Sequence, residues 1–366
     1  MRILFIADKL TGGAGNVAQQ LASCLSQEQD NTIFLMIETN VQPKYDLSKV
    51  CIINREIDSP KINNPVLTIK RYLSSVIWLN TTIKSCKPDV IISFLNSVST
   101  YVLMSQWFTK TPIIVSERSN PYQEWSKLSI RKKIQWYIAY RRSNMIVYQF
   151  KCFEPFFKFA YRKHQTCAIP NMIFDSVDCF SHKDSDNQIN FASVATLYPV
   201  KRIDLMIDIF AELKKRHSNI VLNIYGDGPD RNKLENQVKL LQLQDTICFH
   251  GHVPNSRTVL CRNDILLMTS EREGFPNVII EAMSIGVPTV TFKYHEGLCE
   301  IITDGINGFL IEQNNIKTFV EKLDYIVSHP QIIIKLRENG VNVCHKYDRD
   351  KVLRLWNKCI ESVIKH

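Results

Sequence analysis

Thirteen short apolar runs, each handing over to a longer amphipathic stretch, limit this chain to one class of fold. The runs lie at 2–7, 33–38, 50–53, 89–95, 112–116, 145–148 and 166–169, and then at 190–196, 220–225, 246–250, 264–269, 288–292 and 308–311. Between them are helical patterns such as "DLMIDIFAELKKR", in which Leu205, Ile209 and Leu213 share one face at i, i+4 and i+8. Strand–helix alternation of this kind builds a parallel sheet with helices on both faces, and the polar stretch "SHKDSDNQ" at 181–188 interrupts it once. The expectation is an α/β protein of two doubly wound, Rossmann-like domains. Ligands of such sheets sit beyond the carboxyl ends of the strands, so two such domains facing each other would enclose a cleft.

A chain of 366 residues is long enough for two cores, and 45% hydrophobic with 22% charged residues is an ordinary globular composition. No apolar run reaches the roughly 18 residues of a membrane span, and "MRILFIAD" opens as a strand, so no leader is expected. Eleven scattered cysteines without a C-x-x-C pair read as reduced, small apolar residues.

Charge is unevenly placed. Residues 1–170 hold 22 Lys and Arg against 11 Asp and Glu, whereas the remainder is slightly acidic. The excess concentrates at 125–165, where ten basic residues stand against Glu154 alone and are interleaved with Trp125, Trp136, Tyr137, Tyr140, Phe156, Phe157 and Tyr161. Cations beside interfacial aromatics suit an anionic membrane surface. A helix pair with a solvated basic face and inward aromatics fits the same residues. Nucleic acid fits less well, since nothing in the fold reading supplies a reader module.

After the first apolar run comes "TGGAGNVA", which satisfies G-x-G-x-x-G/A, with Glu38 about 20 residues on, where a dinucleotide ribose would be held. Asp8 to Gly12 intervene before Gly13, however, and that loop is too long for the tight turn of a nicotinamide site. The glycines still open a helix, so its N-terminus could face an anion or a sugar, or simply form a turn. More informative is "SEREGFPNVIIEAMSIGVPTVTF". Glu273 and Glu281 flank seven residues, with Glu273 on a loop and Glu281 about one turn into a helix starting near Val278. Both can reach one molecule at the positive end of that helix, although bare carboxylates near a helix start also occur for stability alone.

"EGFPNVIIEAM" resembles the E-x7-E motif of the retaining glycosyltransferases of family 4, which have the GT-B fold of two Rossmann-like domains facing a central cleft. The order "GGAG", "IPN" (169–171), "TLYPVKR" (196–202), "YGDGP" (225–229), "FHGHV" (249–253) and "EIITDGINGFLI" (300–311) is also similar to that family over nearly the whole chain. The resemblance implies that Glu281 binds the ribose of a nucleoside-diphosphate sugar, that Glu273 holds the transferred sugar, and that no cofactor or metal takes part. It implies Lys201 at the leaving diphosphate, with Gly274, Phe275, Pro276, Asn277 and Val278 around sugar and phosphates. His252 and Val253 would hold the base, uridine by family habit, and Gly12 and Gly13 would admit the donor phosphates. The expected division is 1–170 for the acceptor domain, 171–345 for the donor domain, and 346–366 for a helix packing back on the first.

Two positions depart from the family pattern. Thr196 stands where an arginine is usual, which leaves Arg202 as the nearest second phosphate cation or as a surface residue at a helix start. Residues 1–163 contain no histidine, and the strand end that would carry one reads "IIVSERSNP". That variant is similar to members extending bacterial surface glycans such as O-antigen. Glu117 there would orient an acceptor hydroxyl, or form a structural ion pair with Arg118. "DSD" (184–186) and "DRD" (348–350) match a metal-binding D-x-D pattern but lie in a linker and at a helix start, so no metal is expected. The implied activity is metal-independent hexosyl or N-acetylhexosaminyl transfer, with retention, to a polyprenyl-diphosphate-linked glycan on the cytoplasmic face of the membrane. A non-catalytic nucleotide-sugar binder is the alternative.

Overall fold

The computed structural model describes residues 1–7, 12–28, 30–37, 43–54, 65–106, 110–160, 165–173 and 188–365. The chain divides into two compact units, Met1–Phe174 together with Arg349–His366, and Asp175–Asp348.

The first unit begins with β1 (Arg2–Ala7), α1 (Gly12–Ser26), β2 (Thr32–Ile37), β3 (Val50–Asn54), α2 (Pro65–Cys86) and β4 (Val90–Phe94). It continues through α3 (Asn96–Ser105), β5 (Ile113–Ser116), α4 (Pro121–Lys127), α5 (Ile130–Tyr140), β6 (Met145–Tyr148), a 3-10 segment at Lys151–Ala160 and β7 (Thr166–Ala168). Its strands pair in the order β3-β2-β1-β4-β5-β6-β7, every pair parallel. Runs such as "RILFIA" and "VIISF" are apolar at nearly every position because helices cover both faces of a parallel sheet.

The second unit contains β8 (Ile189–Val194), α6 (Ile203–Lys214), β9 (Ile220–Tyr225), α7 (Arg231–Leu240), β10 (Ile247–Gly251), α8 (Ser256–Leu260) and β11 (Ile265–Met268). It closes with α9 (Asn277–Ser284), β12 (Thr289–Lys293), β13 (Gly308–Glu312), α10 (Ile316–Ser328) and α11 (Gln331–Cys344). Its order, β10-β9-β8-β11-β12-β13, is again wholly parallel. All thirteen strands fall within two residues of the apolar runs, and the two-sheet α/β architecture is the expected one. Strand order reverses between β1 and β4 in one sheet and between β8 and β11 in the other. Such switch points open a crevice at the carboxyl ends of the strands, which fixes where each unit can hold a ligand.

The last helix, α12 (Arg349–Ile364), belongs to the first unit. Val352, Trp356, Cys359, Ile360 and Val363 share the core formed by β1, β2, β4 and α1. Most described aromatics of the basic stretch turn into the core, whereas Tyr137 is exposed and Tyr161 lies outside the described residues. Trp136 meets Trp125 at a tilt at 4.8 Å and Tyr140 edge-on at 4.8 Å, Tyr148 stacks on Phe157 at 5.4 Å, and Trp136, Tyr140 and Phe157 are buried. For these buried rings the inward alternative holds, because large rings bury the most apolar area where they meet one another. The stretch is also not a helix pair, since β6 and the 3-10 segment follow α5. Nine described cysteines carry free thiols, but Cys261 is disulfide-bonded, so the expectation of uniformly reduced cysteines fails there.

Candidate active site

Two loops meet at the switch point of the second sheet. The loop after β8 carries Lys201 and the loop after β11 carries Glu273, and backbone hydrogen bonding brings them together across 70 residues of chain. Glu271 N–H donates to the Val200 carbonyl at 2.8 Å, and Thr269 Oγ1 donates to the Arg202 carbonyl at 2.8 Å and the Lys201 carbonyl at 3.2 Å. Held this way, Lys201 Nζ lies 2.5 Å from Glu273 Oε1, and Ser270 Oγ donates to the same oxygen at 2.8 Å. Both side chains of the ion pair are about four-fifths buried, so solvent screens it less than a surface pair.

Glycines at 226 and 228 make this convergence possible. A Cβ on Gly226 (φ +140°) would stand 1.8 Å from the Ala195 carbonyl oxygen, and one on Gly228 would stand 2.5 Å from that of Leu197. The loop after β9 thus presses backbone to backbone against the loop after β8, and Leu197 N–H donates to the Asp227 carbonyl at 2.9 Å.

Helix α9 supplies the second carboxylate. It starts at Asn277, one residue before the expected Val278, and Glu281 sits just over one turn in, accepting from Ser256 Oγ at 2.5 Å. Ser256 opens α8, which Asn255 caps through its side chain. Neither Ser256 nor Ser270 was singled out from the sequence, since a lone serine carries no spacing signal. Asn277 N–H is taken by the Phe275 carbonyl at 3.0 Å, so among the backbone groups expected to meet sugar and diphosphate this one is already used locally. Phe275 and Pro276 are buried, Phe275 edge-on to Tyr347 at 5.9 Å, while Gly274 and Val278 are partly exposed. His295 Nε2 lies 3.2 Å from the Gly274 carbonyl, which requires the ring proton on that nitrogen, and burial pushes the imidazole pKa down. His252 is exposed and Val253 partly so, just after Gly251 turns the chain at φ +74°.

Other expected residues fall differently. Arg202 adopts φ +49° at the start of α6 and turns its guanidinium to Asp204, with Nε 3.2 Å from Oδ1, while Thr196 is exposed. Gly12 and Gly13 open α1, and a Cβ on Gly13 would meet no atom within 4 Å, so packing does not demand glycine there. Asp8 to Thr11, Glu38 and the "DSD" of 184–186 lie outside the described residues. Asp348 and Asp350 face His345 and Arg349, and among the described residues no three His, Cys, Asp or Glu side chains stand together as a metal site.

In the first unit, Glu117 follows β5 directly and is 2% exposed. Its carboxylate accepts from the Tyr140 hydroxyl, and burial pushes its pKa from 4.5 up to about 7. Arg118 points away. Its Nε donates to Ser116 Oγ at 2.7 Å, its Nη1 to the Ile169 carbonyl at 3.0 Å and Asn171 Oδ1 at 3.1 Å, and its guanidinium lies over Trp356 at 5.3 Å. Burial pulls the Arg118 pKa down to about 9. No Glu117–Arg118 ion pair forms; Glu117 is instead buried against the Tyr140 hydroxyl. Asn120 caps α4, accepting from Tyr122 N–H at 3.1 Å. Nearby, Leu95 follows β4 at φ +68°, a conformation that costs a non-glycine residue about 1–3 kcal/mol.

Residues 178–343 match the family model described as "Glycosyl transferases group 1". An uncharacterized glycosyltransferase of Haemophilus influenzae is 29% identical over 164 residues, 45% of this chain and 46% of that protein, so the chain spans about half the length of that relative. A Campylobacter jejuni protein named GalNAc-alpha-(1->4)-GalNAc-alpha-(1->3)-diNAcBac-PP-undecaprenol alpha-1,4-N-acetyl-D-galactosaminyltransferase is 24% identical over 99% of both chains. The crystal structure of Anabaena HepE in complex with UDP superposes with a TM-score of 0.79 at 18% identity, covering 99% of this chain and 100% of the other. The second unit is thus similar to group 1 glycosyl transferases, and the chain has the GT-B fold of its structural neighbours.

Proposed function

We propose that the protein is a retaining, family 4 glycosyltransferase that moves a sugar from a uridine-diphosphate donor to a hydroxyl of a polyprenyl-diphosphate-linked glycan. The observation that carries this reading is the Lys201–Glu273 pair at the β8/β11 switch point, with Glu281 on the adjoining α9. A buried cation held by a carboxylate can exchange that partner for an incoming diphosphate. Lys201 then neutralises charge on the leaving group, and Glu273, steadied by Ser270, is released to the sugar hydroxyls. Glu281 accepts from the ribose. The bond from the anomeric carbon to the diphosphate breaks as the acceptor oxygen bonds on the same face, and the departing phosphate takes the acceptor proton. The Campylobacter relative's lipid-linked substrate supports the acceptor class, and the UDP bound by HepE supports the donor. The same reading places the protein on the cytoplasmic membrane face, working without metal.

Incubation of a uridine-diphosphate sugar panel with polyprenyl-diphosphate glycans tests it, because nucleoside diphosphate and a lengthened acceptor must appear together. A non-catalytic nucleotide-sugar binder is the second reading, favoured by exposed Thr196 and by an Arg202 committed to Asp204. Stabilisation by UDP with no diphosphate release under any donor would decide for it.

A further inference from the structure

Helix α5 is apolar on two opposite sides. Trp136, Ala139 and Tyr140 are buried in the first unit, whereas Ile130, Ile134 and Ile138 are 76%, 55% and 46% exposed and Tyr137 is 39% exposed. At about 100° per residue, these four outward side chains fall within an arc of about 100° on the face away from Trp136 and Ala139. Four large apolar side chains gathered on one outward arc form an exposed patch of the kind that marks an interaction surface.

Charge identifies what that surface meets. Arg131 and Arg142 flank the stripe on one side and Lys133 on the other, with Arg141 within it, and no acidic residue occurs between Glu124 and Glu154. Glu124 itself is bound by Lys127 at 3.0 Å. Arg141 Nη1 donates to the Tyr137 hydroxyl at 2.9 Å with its guanidinium 5.4 Å from the ring centroid, which pairs a cation with a ring that has one apolar and one polar end. A row of branched aliphatic side chains rimmed by cations alone complements a bilayer with acyl chains beneath anionic phosphates. It does not match a second copy of itself, which would set like charges against like.

We propose that α5 lies flat in the headgroup layer of an anionic membrane, with Ile130, Ile134 and Ile138 at the acyl boundary and Arg131, Lys133, Arg141 and Arg142 among the phosphates. This rests on the reading that the acceptor is lipid-borne, and it replaces buried aromatics with isoleucines as the inserted groups. Each cation in such a layer strengthens partitioning about fivefold.

Sedimentation with vesicles of phosphatidylcholine alone, or with phosphatidylglycerol added, tests the proposal at about 0.1 M and 1 M salt. The full chain is expected to pellet with the anionic vesicles at low salt and to release at high salt. An Ile130→Ser, Ile134→Ser, Ile138→Ser variant should bind on the order of 10²-fold more weakly, and an Arg131→Gln, Arg142→Gln variant more weakly by about 25-fold. Unchanged urea unfolding followed by tryptophan fluorescence, whose five residues all lie in the first unit, would show that both variants remain folded. Equal pelleting of wild type and triple variant, or none by wild type, overturns the proposal. So does a concentration-dependent dimer in lipid-free buffer that the triple variant abolishes. Transfer to a short-chain, water-soluble diphosphate acceptor separates the two claims: its failure with vesicle binding intact counts against the acceptor reading alone.

Discussion

Changing Glu117 to Gln isolates the energetics of the acid buried at the end of β5. Burial raises its pKa from 4.5 to about 7, so between those values the folded chain keeps a proton that the unfolded chain has lost. Stability then falls as pH rises through this window, because the native state binds the extra proton. The gap of about 2.5 pH units, at about 1.4 kcal/mol each, amounts to about 3 kcal/mol. Glu117 is 2% exposed, so solvent screening removes little of it. Glu117→Gln keeps an acceptor for the Tyr140 hydroxyl but cannot ionise. All five tryptophans, at 78, 107, 125, 136 and 356, lie in the first unit, so tryptophan fluorescence follows the unfolding of that unit by itself. Urea titrations from pH 4.5 to 8 should show wild type losing about 3 kcal/mol relative to the variant, with the loss complete above pH 7. Parallel stability curves for the two proteins across that range would refute the reasoning, since the proton would then not be held by this carboxyl.

Lys201→Ala and Glu273→Ala should each lower kcat by about 10²–10³, whereas Glu281→Ala should act mainly on donor KM, because the ribose is unchanged at the transition state. Steady-state kinetics with near-normal turnover in all three would show that the site is misplaced. Gly228→Ala should destabilise the second unit by about 3 kcal/mol or more, since its methyl meets the Leu197 carbonyl at 2.5 Å. Hydrogen exchange at β8 and β9 reads that loss directly. Trp356→Ala should cost the first unit about 3–5 kcal/mol, measured by urea unfolding, while amide protection in the second unit stays unchanged.

The sheets were legible because a strand covered on both faces must be apolar throughout, and nothing else in the sequence mimics thirteen such runs. The E-x7-E spacing likewise announced a loop carboxylate ahead of a helical one. Side-chain direction was harder to read. Glu117 and Arg118 are adjacent, yet extended backbone sends successive side chains to opposite sides, which is why they find Tyr140 and Asn171 instead of each other. Within α5 the sequence shows aromatic, aliphatic and basic residues together. Only packing reveals that Trp136 and Tyr140 turn inward while the isoleucines and Tyr137 turn outward. Ser256 and Ser270 acquire a role from contacts 25 and 3 residues away, respectively, which no local pattern encodes.

The core of the first unit is encoded on both sides of the second unit. Trp356 and Ile360 pack with Phe5 and Leu35, although the entire second unit is encoded between them. A ribosome therefore finishes the second unit's sequence before it delivers the helix that the first unit needs, which inverts the usual N-terminal-first order of domain folding. Until residues 349–364 emerge, the nascent first unit has an apolar groove where α12 will lie. A premature stop near Asp348 would accordingly damage the first unit rather than the second, leaving an intact second unit beside a first unit that cannot complete its core.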